Sequence, residues 1–222
     1  MALVSVSREE GSLGGDVARD LAARLGYRLL DQKALLAEAE AYGGISPTAP
    51  ELMEKRPGLW DRLDQERRRY NVLLRTVVYN VALRDNVVFL GRGTGMLFES
   101  VDHALSVLFT CTVPVRVARI MERGAGGVPG PMTREQAEEI VRRSDRDRAA
   151  YFRYLYSRDW LDPLHHSVVI NTAAIEVPAA TDLLIRMIGS GAYDVTGASR
   201  ERLEQLARSS AEQGEKLVGS RR

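Results

Sequence analysis

Ser7-Arg8-Glu9-Glu10-Gly11-Ser12-Leu13-Gly14-Gly15 lies between a short apolar run, Leu3-Val4-Ser5-Val6, and a stretch of helical spacing. In that stretch Val17, Leu21 and Leu25 recur on one face, with Ala18 and Ala22 completing it. A strand, a glycine turn and a helix in that order can cradle a phosphate. The glycines let backbone N–H groups converge, and the helix N-terminus adds roughly half a positive charge. Glycine is also the ordinary turn residue, so a plain strand-to-helix turn fits the same residues. The run departs from the phosphate-loop pattern GxxxxGK[ST]. No lysine follows Gly14 and Gly15, and an anion, Asp16, stands there instead. Lysine occurs only at positions 33, 55 and 216, so arginine must meet any phosphate charge.

A second candidate is Gly91-Arg92-Gly93, which follows the buried-strand run Val87-Val88-Phe89-Leu90. Ligands of open α/β sheets bind beyond the carboxyl ends of strands. An arginine held there can aim a two-pronged donor at a phosphate or carboxylate; a surface arginine in a turn is the plainer alternative. Asp31 follows a second short strand and is equally well placed to cap the next helix. Arg142, Arg143, Arg146 and Arg148 crowd one stretch with Asp145 and Asp147. His165-His166 with Asp159 and Asp162 lacks the spacing of a metal site. Tyr151, Phe152, Tyr154 and Tyr156 could stack a base, but packing against the core is the favoured reading.

The elements that must position these residues alternate. Strands are expected at 3–6, 27–30, 87–90, 103–111 and 168–170. Helices are expected at about 14–25, 32–40, 60–83, 114–123, 133–156, 178–188 and 199–213, the last with a frayed end. Residues 42–50 and 159–166 read as loops, 51–55 as a helical turn and 124–131 as a flexible link. On the 114–123 helix, Val117, Ile120 and Met121 are expected to be buried, with Arg116, Arg119 and Arg123 on the polar side. Five strands alternating with helices give an α/β fold with a mostly parallel sheet. Residues 32–83 and 124–163 interrupt the alternation and read as insertions covering a site at the strand ends.

Composition narrows the function classes. The 222 residues are 45% hydrophobic and 27% charged, with a net charge of +1. There is no global pull towards a nucleic acid polymer or an anionic membrane. No apolar run approaches the ~20 residues of a membrane span, and no secretory signal is read at the N-terminus. Cys111 is alone, so no intramolecular disulfide can form and a cytoplasmic setting is expected.

SREEGSLGG, Asp31 after a second strand, GRG after a third, DRDRAAYFRYLY, the DWLDP turn and VVINT, in that order, resemble the cytidylate kinase-like family of P-loop proteins. The resemblance implies a three-layer P-loop fold over about residues 1–190, with a helical insert at 32–83, a lid at 124–163 and a helical tail at 191–222. It implies ATP and Mg²⁺ as cofactors, nucleotides as partners, and phosphoryl transfer to a nucleoside monophosphate or a related small phosphorylated acceptor. Homodimer formation stays open. The resemblance implies a phosphate-binding role for Arg8, Gly11, Ser12, Gly14 and Gly15. Asp31, Arg92 and Gly93 fall on the acceptor side, and Arg143, Asp145, Arg146 and Arg148 form the lid that closes on the donor phosphates. Leu13, Asp16 and Gly93 depart from the pattern: a small residue, a basic one and an acidic base-reading one are expected there. A nucleotide-binding regulatory protein without catalysis is the alternative on the same fold, and an arginine-rich module for an anionic partner is the alternative outside it.

Overall fold

The computed structural model describes residues 2–41, 61–84, 86–125 and 128–219. The expected loop at 42–50 and helical turn at 51–55 lie outside the described residues. Five strands form one sheet in the order β2 (Arg28–Leu30), β3 (Val87–Leu90), β1 (Leu3–Arg8), β4 (Ala104–Thr110), β7 (Val168–Asn171), with every neighbouring pair parallel. Leu3 pairs with Val87 on one side and Ala104 on the other, which centres β1 in the sheet. A parallel sheet covered on both faces needs apolar side chains pointing both ways, and Leu3, Val4 and Val6 are all fully buried.

Period-two alternation sorts these side chains between two cores. Val4, Val6, Leu105, Val107 and Phe109 meet α1 (Gly14–Leu25) and α7 (Val177–Ile188) through Val17, Leu21, Ala180 and Leu184. On the opposite face Leu3, Val87 and Phe89 meet α2 (Gln32–Ala41), α3 (Asp61–Ala82) and α8 (Gly197–Gly219). The result is the three-layer α/β arrangement implied by the sequence. The C-terminal helix is longer than its apolar spacing suggests. It lies along α3, buries Leu203 and Ala207, and bonds Ser210 Oγ to Thr76 Oγ1 at 2.8 Å.

Between β3 and β4 runs the short helix α4 (Thr94–Leu97), which has too few residues to show a period. After β4 come α5 (Val113–Arg123), an antiparallel pair of two-residue strands, β5 (Gly124–Ala125) and β6 (Val128–Pro129), and α6 (Arg134–Tyr156). The pair corrects the expectation of a flexible link at these four residues, because the pairing gives their backbone groups partners that a free link would lack. The capping box of α6 forms: Thr133 Oγ1 accepts from Gln136 N, and Gln136 Oε1 accepts from Thr133 N. Trp160 and Phe152 stack, and with Leu108 they fasten the end of α6 to the sheet. Among the described residues no helix is long and apolar enough to cross a membrane.

Candidate active site

The carboxyl ends of all five strands open on the same side. They deliver Arg8 and the glycine loop from β1, Asp31 from β2, Arg92 from β3, Cys111 from β4 and Thr172 from β7. Gly14 begins α1 where no larger residue fits: an added Cβ would stand 2.7 Å from Arg8 Cβ and 2.8 Å from Phe109 Cβ. Leu13 takes the left-handed conformation, φ 59°, a geometry that favours the small residue expected there. Among the described residues no protein acceptor faces the N–H groups of Gly14 and Gly15, and these start the helix. Ser12, expected in the phosphate-binding set, turns into the loop. Its side chain is fully buried, its Oγ donates to Glu9 O at 2.8 Å, and its N–H also turns to Glu9 O. Its hydroxyl is therefore spent on holding the loop.

The loop is braced from beneath by groups the sequence reading passed over. Glu9 is buried and accepts from Thr110 Oγ1 at 2.6 Å and Cys111 N at 3.0 Å. Arg116, expected on the polar side of its helix, is only 2% exposed. Its guanidinium grips Asp145 with two bonds of 2.9 and 2.7 Å and lies 3.4 Å from Glu9. Burial works against its charge; the Asp145 bonds and the Glu9 carboxylate more than offset this and raise its pKa. A signal for it existed: Arg116 stands four residues before Ile120, on the apolar face. Arg119 donates to Gly11 O and to Thr172, whose Oγ1 donates to Ser12 O at 2.7 Å.

Asp145, expected among the residues closing on a donor, is held here in an ion pair with Arg116. Arg143 and Arg146 are exposed and pair within their own helix, with Asp147 and Glu139. Helical spacing explains the split, since 145 and 148 share a face that 143 and 146 do not. Of the three arginines expected to form a lid, Arg143, Arg146 and Arg148, only Arg148 turns to the strand ends. It donates to Glu10 Oε2 at 3.1 Å and lies over Trp160. Burial lowers its pKa against the pull of Glu10 and Asp145.

Across the cleft, Arg92 has φ 60°, between two glycines that are also left-handed. Such strain in a non-glycine residue concentrates at functional sites. Its Nη2 is buried without a partner. Tyr151 Oη donates to Arg92 O at 3.4 Å, and burial pushes the Tyr151 hydroxyl up to about 12. Gly93 lies under the Tyr156 ring, whose Cε2 would be 2.8 Å from an added Cβ. Position 93 thus offers no side chain to a ligand. Asp31 caps α2, accepting from Ala34 N at 2.8 Å, while its charge also acts on Arg8.

Asp16 is paired with Arg19 at 2.7 Å and with Arg123 at 3.5 Å. Val17, where a metal-binding hydroxyl would follow a phosphate-loop lysine, is buried and apolar. With Ser12 turned inward, these residues do not assemble a Mg²⁺ ligand set, and among the described residues no metal-binding cluster is found.

A model of the cytidylate kinase-like family matches residues 3–174. The curated proteins offer no match. Among solved structures, an uncharacterized protein from Eubacterium ventriosum ATCC 27560 is similar with a TM-score of 0.65 and 21% identity, over 85% of this chain and 98% of its own. Shikimate kinase from Bacteroides thetaiotaomicron is similar with a TM-score of 0.51 and 13% identity, over 85% of this chain and 98% of its own. At these identities the likeness is one of fold.

Proposed function

The chain belongs to the cytidylate kinase-like family, and on that premise we propose that it transfers a phosphoryl group from ATP to a nucleoside monophosphate or a related small phosphorylated acceptor. The observation that carries this reading is Arg92. It is strained, its Nη2 is buried and without a partner, and it leaves β3 beside the strand that supplies the glycine loop. An unpaired buried guanidinium nitrogen is costly unless an anion completes it.

In this reading the donor phosphates lie on the N–H groups of Gly14 and Gly15 at the start of α1, and the acceptor's anionic group lies on Arg92. Phosphoryl transfer needs chiefly alignment and neutralisation of charge on the moving group. Arg148 stands between the two sides, bonded to Glu10 next to the loop and close enough to Arg8 to affect its charge. It is placed to meet charge on the group in transit. The test is a coupled assay over a panel of nucleoside monophosphates with wild type and Arg92→Ala. The variant should raise the acceptor KM by more than about tenfold, the worth of one charge-assisted contact, with the ATP KM little changed. An unchanged acceptor KM would refute the assignment. ATP binding with no transfer to any acceptor would instead favour a regulatory protein.

A further inference from the structure

Arg8 closes β1, opposite Phe109 of β4. Its position suggests a donor-phosphate role, as part of the loop. The side chain goes elsewhere. It crosses to the neighbouring strand end and lies where a Cβ of residue 91 would be, its Cζ 3.5 Å from that position. Gly91 is left-handed, φ 88°, and any side chain there would displace the guanidinium. The glycine before Arg92 thus makes room for Arg8. Among the described residues the Arg8 guanidinium has no hydrogen bond or ion pair, and Arg92 Nη2 has none either. Burial, then the repulsion of Arg148 and Arg92, lowers the Arg8 pKa to about 10, against the pull of Glu10 and Asp31. Arg148 and Arg92 therefore both act on Arg8, and the unpartnered Arg8 guanidinium adjoins an Arg92 whose Nη2 is still free while its side chain also meets the Tyr151 hydroxyl.

We propose that Arg8 and Arg92 together bind the acceptor's anionic group, so that Arg8 selects for a phosphate monoester dianion and serves the acceptor side. This rests on the reading of Arg92 as the acceptor anchor. Two arginine forks offer more donors than a carboxylate has edges, whereas the three terminal oxygens of a phosphate monoester can occupy both. Like charges held side by side repel until a ligand of charge near −2 offsets them.

The test uses the full chain labelled with ¹⁵N and inorganic phosphate as probe. The Nε–Hε signals of Arg8 and Arg92, assigned with Arg8→Lys and Arg92→Lys, should move together on one isotherm. Arg24, paired with Asp182 on the far side of α1, should stay still. The Gly14 and Gly15 amides report separately on phosphate at the glycine loop. Arg8→Ala should weaken the Arg92 isotherm by about tenfold or more. Arg8→Lys should weaken it less, and it carries the test if the alanine variant melts early. If Arg92 responds while Arg8 is silent, or Arg8→Ala changes the Arg92 isotherm by less than about twofold, the proposal falls and the acceptor reading stands. If neither arginine responds, the acceptor reading falls with it.

Discussion

Replacing Arg116 by methionine removes a guanidinium from between two carboxylates while keeping most of its apolar volume. The side-chain exposures decide the size of the effect: 2% for Arg116, 8% for Glu9 and 33% for Asp145. Removing one partner of a buried ion pair costs about 3–5 kcal/mol. Glu9 keeps two donors, Thr110 Oγ1 and Cys111 N, and Asp145 can turn to water, so the lower end, about 3 kcal/mol, applies. For a chain of this size each kcal/mol shifts Tm by about 2–4 °C, which gives a drop of about 6–12 °C. Urea unfolding of wild type, Arg116→Met, Asp145→Asn and the double variant closes a cycle. The coupling should be about 1.5–3 kcal/mol, the range for hydrogen bonds to a charged group. A loss below about 1 kcal/mol for Arg116→Met, in the range of exposed ion pairs, would refute the buried clamp beneath the loop.

Gly14→Ala should destabilise the protein by about 1–3 kcal/mol, the cost of overpacking, because its Cβ would meet Arg8 and Phe109. ATP should raise the Tm of the wild type in a thermal-shift assay, and Gly14→Ala should abolish that rise. Asp16→Lys should tighten ATP binding by about 0.5–2 kcal/mol, since it removes an anion at the start of α1 and releases Arg19 and Arg123; weaker binding by calorimetry would show that Asp16 is needed to hold those arginines. His166 Nε2 donates to Trp160 O at 2.9 Å, which favours the charged ring, and its Nδ1 accepts from Ser106 Oγ at 3.2 Å. Burial outweighs the Trp160 bond and, helped by His165, keeps its pKa below the ordinary value. The unfolded chain therefore takes up this proton first, near pH 6.5, and stability should fall as pH drops through that range and recover above it. Urea midpoints between about pH 7.5 and 5.5 should fall less for His166→Gln than for wild type; equal slopes would show that His166 does not contribute.

The parallel sheet was legible because Val87-Val88-Phe89-Leu90 is an unbroken apolar segment and the other strand runs are short and mostly apolar, and glycines mark the two strand ends that carry the loop and Arg92. The glycine loop and Arg92 were legible for the same reason: each follows directly on its strand. What the chain order hid is which of several arginines turns inward. Arg143, Arg146 and Arg148 are alike in type, and only the phase of α6, fixed by the Thr133 cap and by Phe152 packing on Trp160, separates them. Arg116 looked like a surface charge because its partners, Glu9 and Asp145, lie far away in sequence on other elements. The obstruction of position 93 was hidden for a similar reason, since Tyr156 comes from a helix that ends more than sixty residues later.

The most direct test of phosphoryl transfer is ³¹P NMR of the full chain with ATP, Mg²⁺ and each nucleoside monophosphate or small sugar phosphate in turn. With one of these acceptors, ADP and a newly phosphorylated acceptor should grow in equal amounts, and inorganic phosphate should lag. Intact ATP with every acceptor, or ADP and inorganic phosphate appearing while each acceptor stays unchanged, would contradict a kinase.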